Sequence, residues 1–197
     1  MKADPRILIV EDEGIVAFNL QQRLQQMGYE IAGVAESGHE ALALASDAEP
    51  DLVLMDIHIK GEMDGIEVAS QLAATRQTPV IYLTAYAEDS TLERARRTRP
   101  YGYLIKPFSQ RELHATIQMA LERHAVQEAL THSQALLRQA LDAAQMGTVE
   151  SLADGRFQLS GPPRVMTGLP AEPVGRDGWL ARVHPEDRPG LEAVLTS

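Results

Sequence analysis

From residue 6 to about 108 the chain alternates short apolar runs with stretches whose apolar residues recur three or four apart. This is the pattern of strand and helix units that build a parallel sheet. The apolar runs predict strands at Arg6–Val10, Glu30–Ala35, Asp51–Met55, Val80–Thr84 and Gly102–Ile105. Helices are predicted between them at Ile15–Met27, His39–Ala48, Gly65–Ala74 and Ser90–Arg97. Ser37, with Glu40 three residues on, makes a capping box for the second helix. Gly28 closes the first helix, and Pro79 stands before the fourth strand, where a missing N–H is tolerated. Five strands alternating strictly with helices give a doubly wound α/β sheet, and ligands of such sheets sit at the carboxyl ends of the strands.

Ser109 caps a further helix, with Glu112 at the capping-box position, and neither Gly nor Pro follows until after Met146. One unbroken helix of that length would span about 57 Å, more than this domain can bury. Leu113, Ile117, Ala120, Leu121, Leu130, Leu137, Leu141 and Ala144 mark an apolar stripe, interrupted by Gln127, Thr131 and Gln134. The first part is expected to pack on the sheet and the second to act as a linker. Two helices with a bend near His132 and one straight rod both fit, as does a parallel helical pair joining two subunits.

Beyond Met146 the composition changes: 13 of the 25 Gly plus Pro residues lie between Gly147 and Gly190. Thr148–Leu152 and Arg156–Leu159 form a candidate hairpin around the turn pair Asp154-Gly155. Fifty residues with so few apolar positions make a poor core, so the chain is expected to end inside a second domain. The division that follows is 1–122, 123–146 and 147–197.

A formal charge of -10 argues against a nucleic-acid-binding surface. The densest basic patch, Arg94, Arg96, Arg97 and Arg99, reads more simply as a solvated helix face. With no Cys, disulfides and thiolate metal sites are excluded. The start lacks the apolar core of a signal peptide and no run has membrane-spanning length, so a cytoplasmic protein without membrane contact is expected.

The predicted strand ends carry chemistry. Asp56 follows the apolar run Leu52-Val53-Leu54-Met55, where an ionised carboxylate is costly unless something offsets it. Glu11 and Asp12 stand at the end of the first strand, Thr84 at the end of the fourth and Lys106 just past the fifth. Three close carboxylates attract a cation, and Mg2+, hard and oxygen-seeking, suits them. Asp12 and Asp56 would bind it directly and Glu11 through water. Lys106 would pair with Asp56 at rest and with a phosphate oxygen afterwards, while Thr84 would donate a hydrogen bond to another oxygen.

These residues bring a resemblance into view. Ile7-Leu8-Ile9-Val10-Glu11-Asp12-Glu13, Met55-Asp56-Ile57 with Gly61, Met63-Asp64-Gly65-Ile66, Leu83-Thr84-Ala85-Tyr86 and Tyr103-Leu104-Ile105-Lys106-Pro107-Phe108 resemble the receiver domains of two-component response regulators over residues 5 to about 122. The resemblance implies strand order 2-1-3-4-5 and phosphotransfer from a histidine kinase to Asp56. It also implies the carbonyl of His58 as a further metal ligand, a cis peptide before Pro107, and coupled movement of Thr84 and Tyr103. Glu11 stands where aspartate is often found. The face of the fourth helix, fifth strand and fifth helix would then change shape and pass the signal into the linker. His58 and Tyr86 would set the lifetime of the phosphoryl group, with the bulk of Tyr86 obstructing water and giving an intermediate to long one. Dimerisation through the linker helix or the adjoining receiver face is expected.

A fainter likeness links Ala140-Leu141-Asp142-Ala143-Ala144-Gln145-Met146-Gly147-Thr148, Ala153-Asp154-Gly155-Arg156, Thr167-Gly168-Leu169-Pro170 and Val183-His184-Pro185-Glu186-Asp187-Arg188 to the first half of a PAS sensory domain. Val149 stands where such sequences usually carry Trp. His184 reads as part of a helix-starting turn rather than a metal ligand. His39 reads as a surface residue, and His114, His124 and His132 lack the context of a kinase phosphoacceptor. A haloacid-dehalogenase-like phosphatase would want an acid two residues after Asp56, where His58 stands. The expected role is therefore a switch, with no turnover beyond self-phosphorylation and slow self-dephosphorylation. The alternatives are the front end of a larger receiver–PAS kinase or cyclase, or a constitutive scaffold.

Overall fold

The computed structural model describes residues 4–75, 77–85, 89–161, 172–181 and 184–189, without the side chains at 89, 90 and 159. The chain divides into two compact units, Met1–Glu128 and Ala129–Ser197.

In the first unit five strands, β1 (Arg6–Val10), β2 (Glu30–Ala35), β3 (Leu52–Asp56), β4 (Val80–Thr84) and β5 (Gly102–Ile105), form one parallel sheet in the order 2-1-3-4-5. Helices α1 (Gly14–Gln26), α2 (Gly38–Ala48), α3 (Gly65–Thr75) and α4 (Asp89–Arg97) join them, and α5 (Gln110–Ala143) follows. Because side chains alternate along a strand, the sheet feeds two cores. Ile7, Ile9, Leu52, Leu54, Ile81 and Leu83 pack with Leu20 and Leu24 of α1 and Leu113 and Ile117 of α5. Leu8, Val10, Val53, Met55 and Tyr82 pack on the other face with Ala41 and Ala45 of α2, Val68 and Leu72 of α3 and Ala95 of α4. The central strands β3 and β4 are buried throughout, which is why both read as unbroken apolar runs.

Local signals explain the helix starts. The Ser37 hydroxyl accepts from Glu40 N at 3.5 Å, and the Glu40 carboxylate reaches Glu36 N at 2.9 Å. At α5 the box is reciprocal: Glu112 N donates to Ser109 Oγ and Ser109 N to Glu112 Oε2, at 3.2 and 2.7 Å. A third box, not anticipated, starts α3, where Asp64 Oδ1 accepts from Ile66 N and Glu67 N, and Asp64 N donates to Glu67 Oε2.

Strand β3 is displaced by one residue from the expected Asp51–Met55, starting at Leu52 and including Asp56 itself, since Asp56 pairs with Leu83 of β4. Of the alternatives left open after Ser109, the single unbroken helix is the one found: α5 runs for 34 residues, in keeping with its lack of Gly and Pro.

In the second unit, β6 (Val149–Ser151) and β7 (Phe157–Leu159) pair antiparallel as a hairpin. Gly155 N donates to Leu152 O and Gly155 has φ +77°. The turn therefore centres on Ala153-Asp154, with Gly155 in the left-handed position after it. Phe157 also bridges to Val174, and its ring lies 5.2 Å from that of Trp179 on the short helix α6 (Arg176–Leu180). No helix among the described residues is long and apolar enough to cross a membrane.

Candidate functional site

Strand order decides which residues meet. With β1, β3, β4 and β5 side by side and parallel, their carboxyl ends bring Glu11, Asp12, Asp56, Thr84 and Lys106 to one edge of the sheet. Main-chain bonds continue past the strand ends and hold that edge: Glu11 N to Ala35 O, Ile57 N to Leu83 O and Lys106 N to Thr84 O, at 2.9, 3.2 and 2.7 Å.

The Lys106 amine lies 2.5 Å from Glu11 Oε2 and 2.5 Å from Asp56 Oδ2. Glu11 is fully buried, and Asp56 and Thr84 nearly so. The remaining carboxylate oxygens take main-chain donors, Asp56 Oδ1 from His58 N at 3.0 Å and Glu11 Oε1 from Glu13 N at 3.3 Å. Burial acts to lower the Lys106 pKa, but its bonds to Asp56 and Glu11 outweigh burial and leave the amine above its ordinary value. Glu11 moves the other way for a paired acid. Burial pushes its carboxyl up, with help from the Asp56 charge, and Lys106 offsets this only in part. The two directions agree once the charges are summed: one ammonium is shared between two carboxylates, leaving surplus negative charge in a dry pocket.

Asp12 stands nearer solvent. Lys60 Nζ donates to its main-chain carbonyl at 2.9 Å and lies 3.9 Å from its carboxylate. Among the described residues, no group of three or more His, Asp or Glu is gathered in a metal-holding arrangement; Glu11 and Asp56 are drawn together on Lys106. The donor chemistry nevertheless fits a hard cation, since every candidate ligand is an oxygen and the acids outnumber the nearby amine.

Tyr103 is half-buried, its ring 5.8 Å from that of Tyr82. Its hydroxyl is buried with no hydrogen-bond partner among the described residues, and burial raises its pKa. The peptide Lys106–Pro107 is cis. The His58 side chain, two residues past Asp56, is exposed, and Tyr86 lies outside the described residues. His39 and His132 are exposed, and His184 lies 3.9 Å from Glu186 in an exposed turn.

Several contributors escaped the sequence reading. Gly65 N donates to Ile57 O at 2.9 Å, and a Cβ at Gly65 would lie 2.0 Å from the main-chain oxygen of Asp56. Only glycine lets α3 start so close to the end of β3. Arg94, read as solvated, bonds Asp64 Oδ2 at 2.6 Å and ties α4 to the cap of α3. His114 meets the Tyr29 hydroxyl at 3.1 Å and His124 meets that of Tyr101 at 3.2 Å, so both fasten α5 to the receiver unit. Nothing local in the sequence announces these long-range pairs.

The family model described as the response regulator receiver domain matches residues 7–118. The chain belongs to that family. The transcriptional regulatory protein PdtaR of Mycobacterium tuberculosis is 39% identical over 141 residues, which cover 72% of this chain and 68% of PdtaR. The regulatory protein AtoC of Escherichia coli is 40% identical over 145 residues, 73% of this chain but 30% of AtoC. A solved signal receiver domain of a modulated diguanylate cyclase from Desulfovibrio desulfuricans G20 matches with a TM-score of 0.61 and 40% identity, covering 63% of this chain and 98% of that one. The N-terminal domain of a response regulator/sensory box/GGDEF three-domain protein from Carboxydothermus hydrogenoformans matches with a TM-score of 0.58 and 32% identity, over 62% and 98%.

Proposed function

We propose that Asp56 accepts a phosphoryl group from the phosphohistidine of a sensor histidine kinase and that the added charge resets the surface around α4, β5 and α5. The observation that carries this reading is the Lys106 amine held 2.5 Å from both Asp56 and Glu11 at the carboxyl edge of the sheet. An Asp56 oxygen attacks phosphorus, the phosphorus–nitrogen bond breaks, and the kinase imidazole leaves with a proton. Such transfer needs positioning and charge neutralisation more than covalent help. Mg2+, which receivers generally bind, would be held by Asp12, Asp56 and the His58 carbonyl, with Glu11 through water, and would neutralise charge on the phosphoryl oxygens. Lys106 pairs with one of those oxygens and Thr84 donates its hydroxyl to another. Drawing Thr84 inward shifts the packing beside Tyr103, and His58 and Tyr86 govern how readily water removes the phosphoryl group.

On this reading the chain is a cytoplasmic switch and not a turnover enzyme. Several relatives carry names of transcriptional regulators, but the charge of -10 disfavours direct nucleic-acid contact by this chain. The test is intact mass after treatment with acetyl phosphate and Mg2+, beside Asp56→Asn. One added phosphoryl group, absent from the variant, is expected. An unlabelled wild type would leave a constitutive scaffold as the better account.

A second reading concerns the setting. Both solved receivers described above come from larger proteins named for cyclase or GGDEF regions, and here α5 leads into the β6–β7 hairpin. We take residues 123–146 as a signalling helix and 147–197 as part of a PAS-like domain, so that the receiver acts as a regulatory front end. Hydrogen exchange along α5 that is identical with and without acetyl phosphate would sink this reading.

A further inference from the structure

The acids of the candidate site do not share one counter-ion. Lys106 is committed between Glu11 and Asp56. Asp12 stands with a second ammonium, that of Lys60, which donates to its main-chain carbonyl at 2.9 Å and lies 3.9 Å from its carboxylate. The two lysines come from different places: Lys106 follows β5, whereas Lys60 lies in the loop between β3 and α3. The Lys60 side chain is 68% exposed and that of Asp12 19%, so this pair sits on the solvent side of the pocket.

The loop is built to hold that ammonium beside Asp12. Ile59 packs against the core shared with α2 and α3. The main chain of Lys60 forms an isolated parallel bridge with Ser37, which is itself fixed as the N-cap of α2. Gly61, at φ +112°, turns the chain immediately afterwards, in a conformation that favours glycine. The Lys60 backbone is thus anchored on both sides, and freedom is left to its side chain. An ion pair as exposed as this one contributes little to folding, so the ammonium can leave Asp12 at small cost.

We propose that Lys60 is a displaceable counter-ion for Asp12: it guards the metal side of the pocket at rest, weakens Mg2+ binding there, and leaves Asp12 when the ion is bound. This rests on the reading of Asp12, Asp56 and the His58 carbonyl as the Mg2+ ligands. Asp12 cannot keep the ammonium and ligate a divalent cation without bringing two like charges together. With Lys60 in place, three carboxylates face two ammonium groups and one negative charge is left over. With Lys60 withdrawn, two are left over, which balances the charge of Mg2+. Lys60 stands two residues past His58, so one loop supplies both a ligand carbonyl and the competitor.

Calorimetric titration of the full chain with Mg2+, without any phosphodonor, tests this on the wild type, K60Q, K60R and D12N. K60Q is expected to bind about tenfold more tightly at low ionic strength, and the gain should shrink as salt screens the lysine. K60R, which keeps the charge, should bind as the wild type does, and D12N should lose binding. Wild-type affinity in K60Q, beside a D12N that has lost binding, would overturn the role of Lys60 and leave the Mg2+ reading standing. No binding in either the wild type or K60Q would overturn both. The chain's lysines are Lys2, Lys60 and Lys106, so amine acetylation followed by peptide mass reads the displacement directly. Saturating Mg2+ should speed acetylation of Lys60 relative to Lys2, because the released amine is free to react. An unchanged ratio would show that Lys60 stays on Asp12 and would overturn the proposal.

Discussion

Gly65 shows how one side chain's absence governs the site. Its close approach to the Asp56 carbonyl lets α3 begin directly behind Asp56, so Gly65→Ala must push either the helix or the end of β3. Overpacking of this kind costs about 3 kcal/mol. Urea unfolding should show that loss, with slower acetyl phosphate labelling because Asp56 is displaced. Tyr82 offers a test of burial. It is fully buried, its hydroxyl 2.9 Å from Thr98 Oγ1, and burial, with Thr98 acting in the other direction, leaves its pKa raised from 10.0 to about 12. An acid with a raised folded-state pKa gives stability that is complete below the unfolded value and is lost as pH rises through the folded one. The expected loss between pH 10 and 12 is about 3 kcal/mol. Tyr82→Phe should flatten that part of the alkaline stability profile, and an unchanged slope would show that Tyr82 ionises without resistance.

At the scale of elements, α5 combines a packed start with an exposed continuation. Leu113 is fully buried, and Leu113→Ala should cost about 2–5 kcal/mol in chemical denaturation. Leu130→Ala, at a half-exposed position, should leave the receiver's own unfolding nearly unchanged. The start of α5 has a pH signature as well. The main-chain N–H of Ser109, then its hydroxyl, holds the Glu112 carboxyl below its ordinary value. A depressed acid contributes above the unfolded value and stops contributing as pH falls through the folded one. Ser109→Ala should therefore lower the melting temperature at neutral pH by more than it does in acid, below the Glu112 folded-state pKa.

For the whole molecule, the compact unit Met1–Glu128 includes every residue of the candidate site and the two histidines that fasten α5. A chain ending at Glu128 should unfold in one cooperative transition and label on Asp56 at the rate of the full chain. Slower labelling of the shortened chain would assign part of the receiver's chemistry to residues 129–197.

Most of the first unit was legible because its signals are local. Apolar runs marked the buried strands, two of the capping boxes were readable from residues three apart, and the acids, Thr84 and Lys106 each stood at a predicted strand end. The sequence by itself thus determined the sheet's elements and which residues stand at its carboxyl edge. The tertiary structure decided what depends on distance across the fold: that one amine is shared by Glu11 and Asp56, that Lys60 ties Asp12, that Gly65 touches the Asp56 backbone, and that Arg94 reaches Asp64. It also split one apparent stripe on α5 into a receiver face and an exposed face. Helical periodicity specifies spacing, but only packing against the sheet settles which side of the helix is already covered.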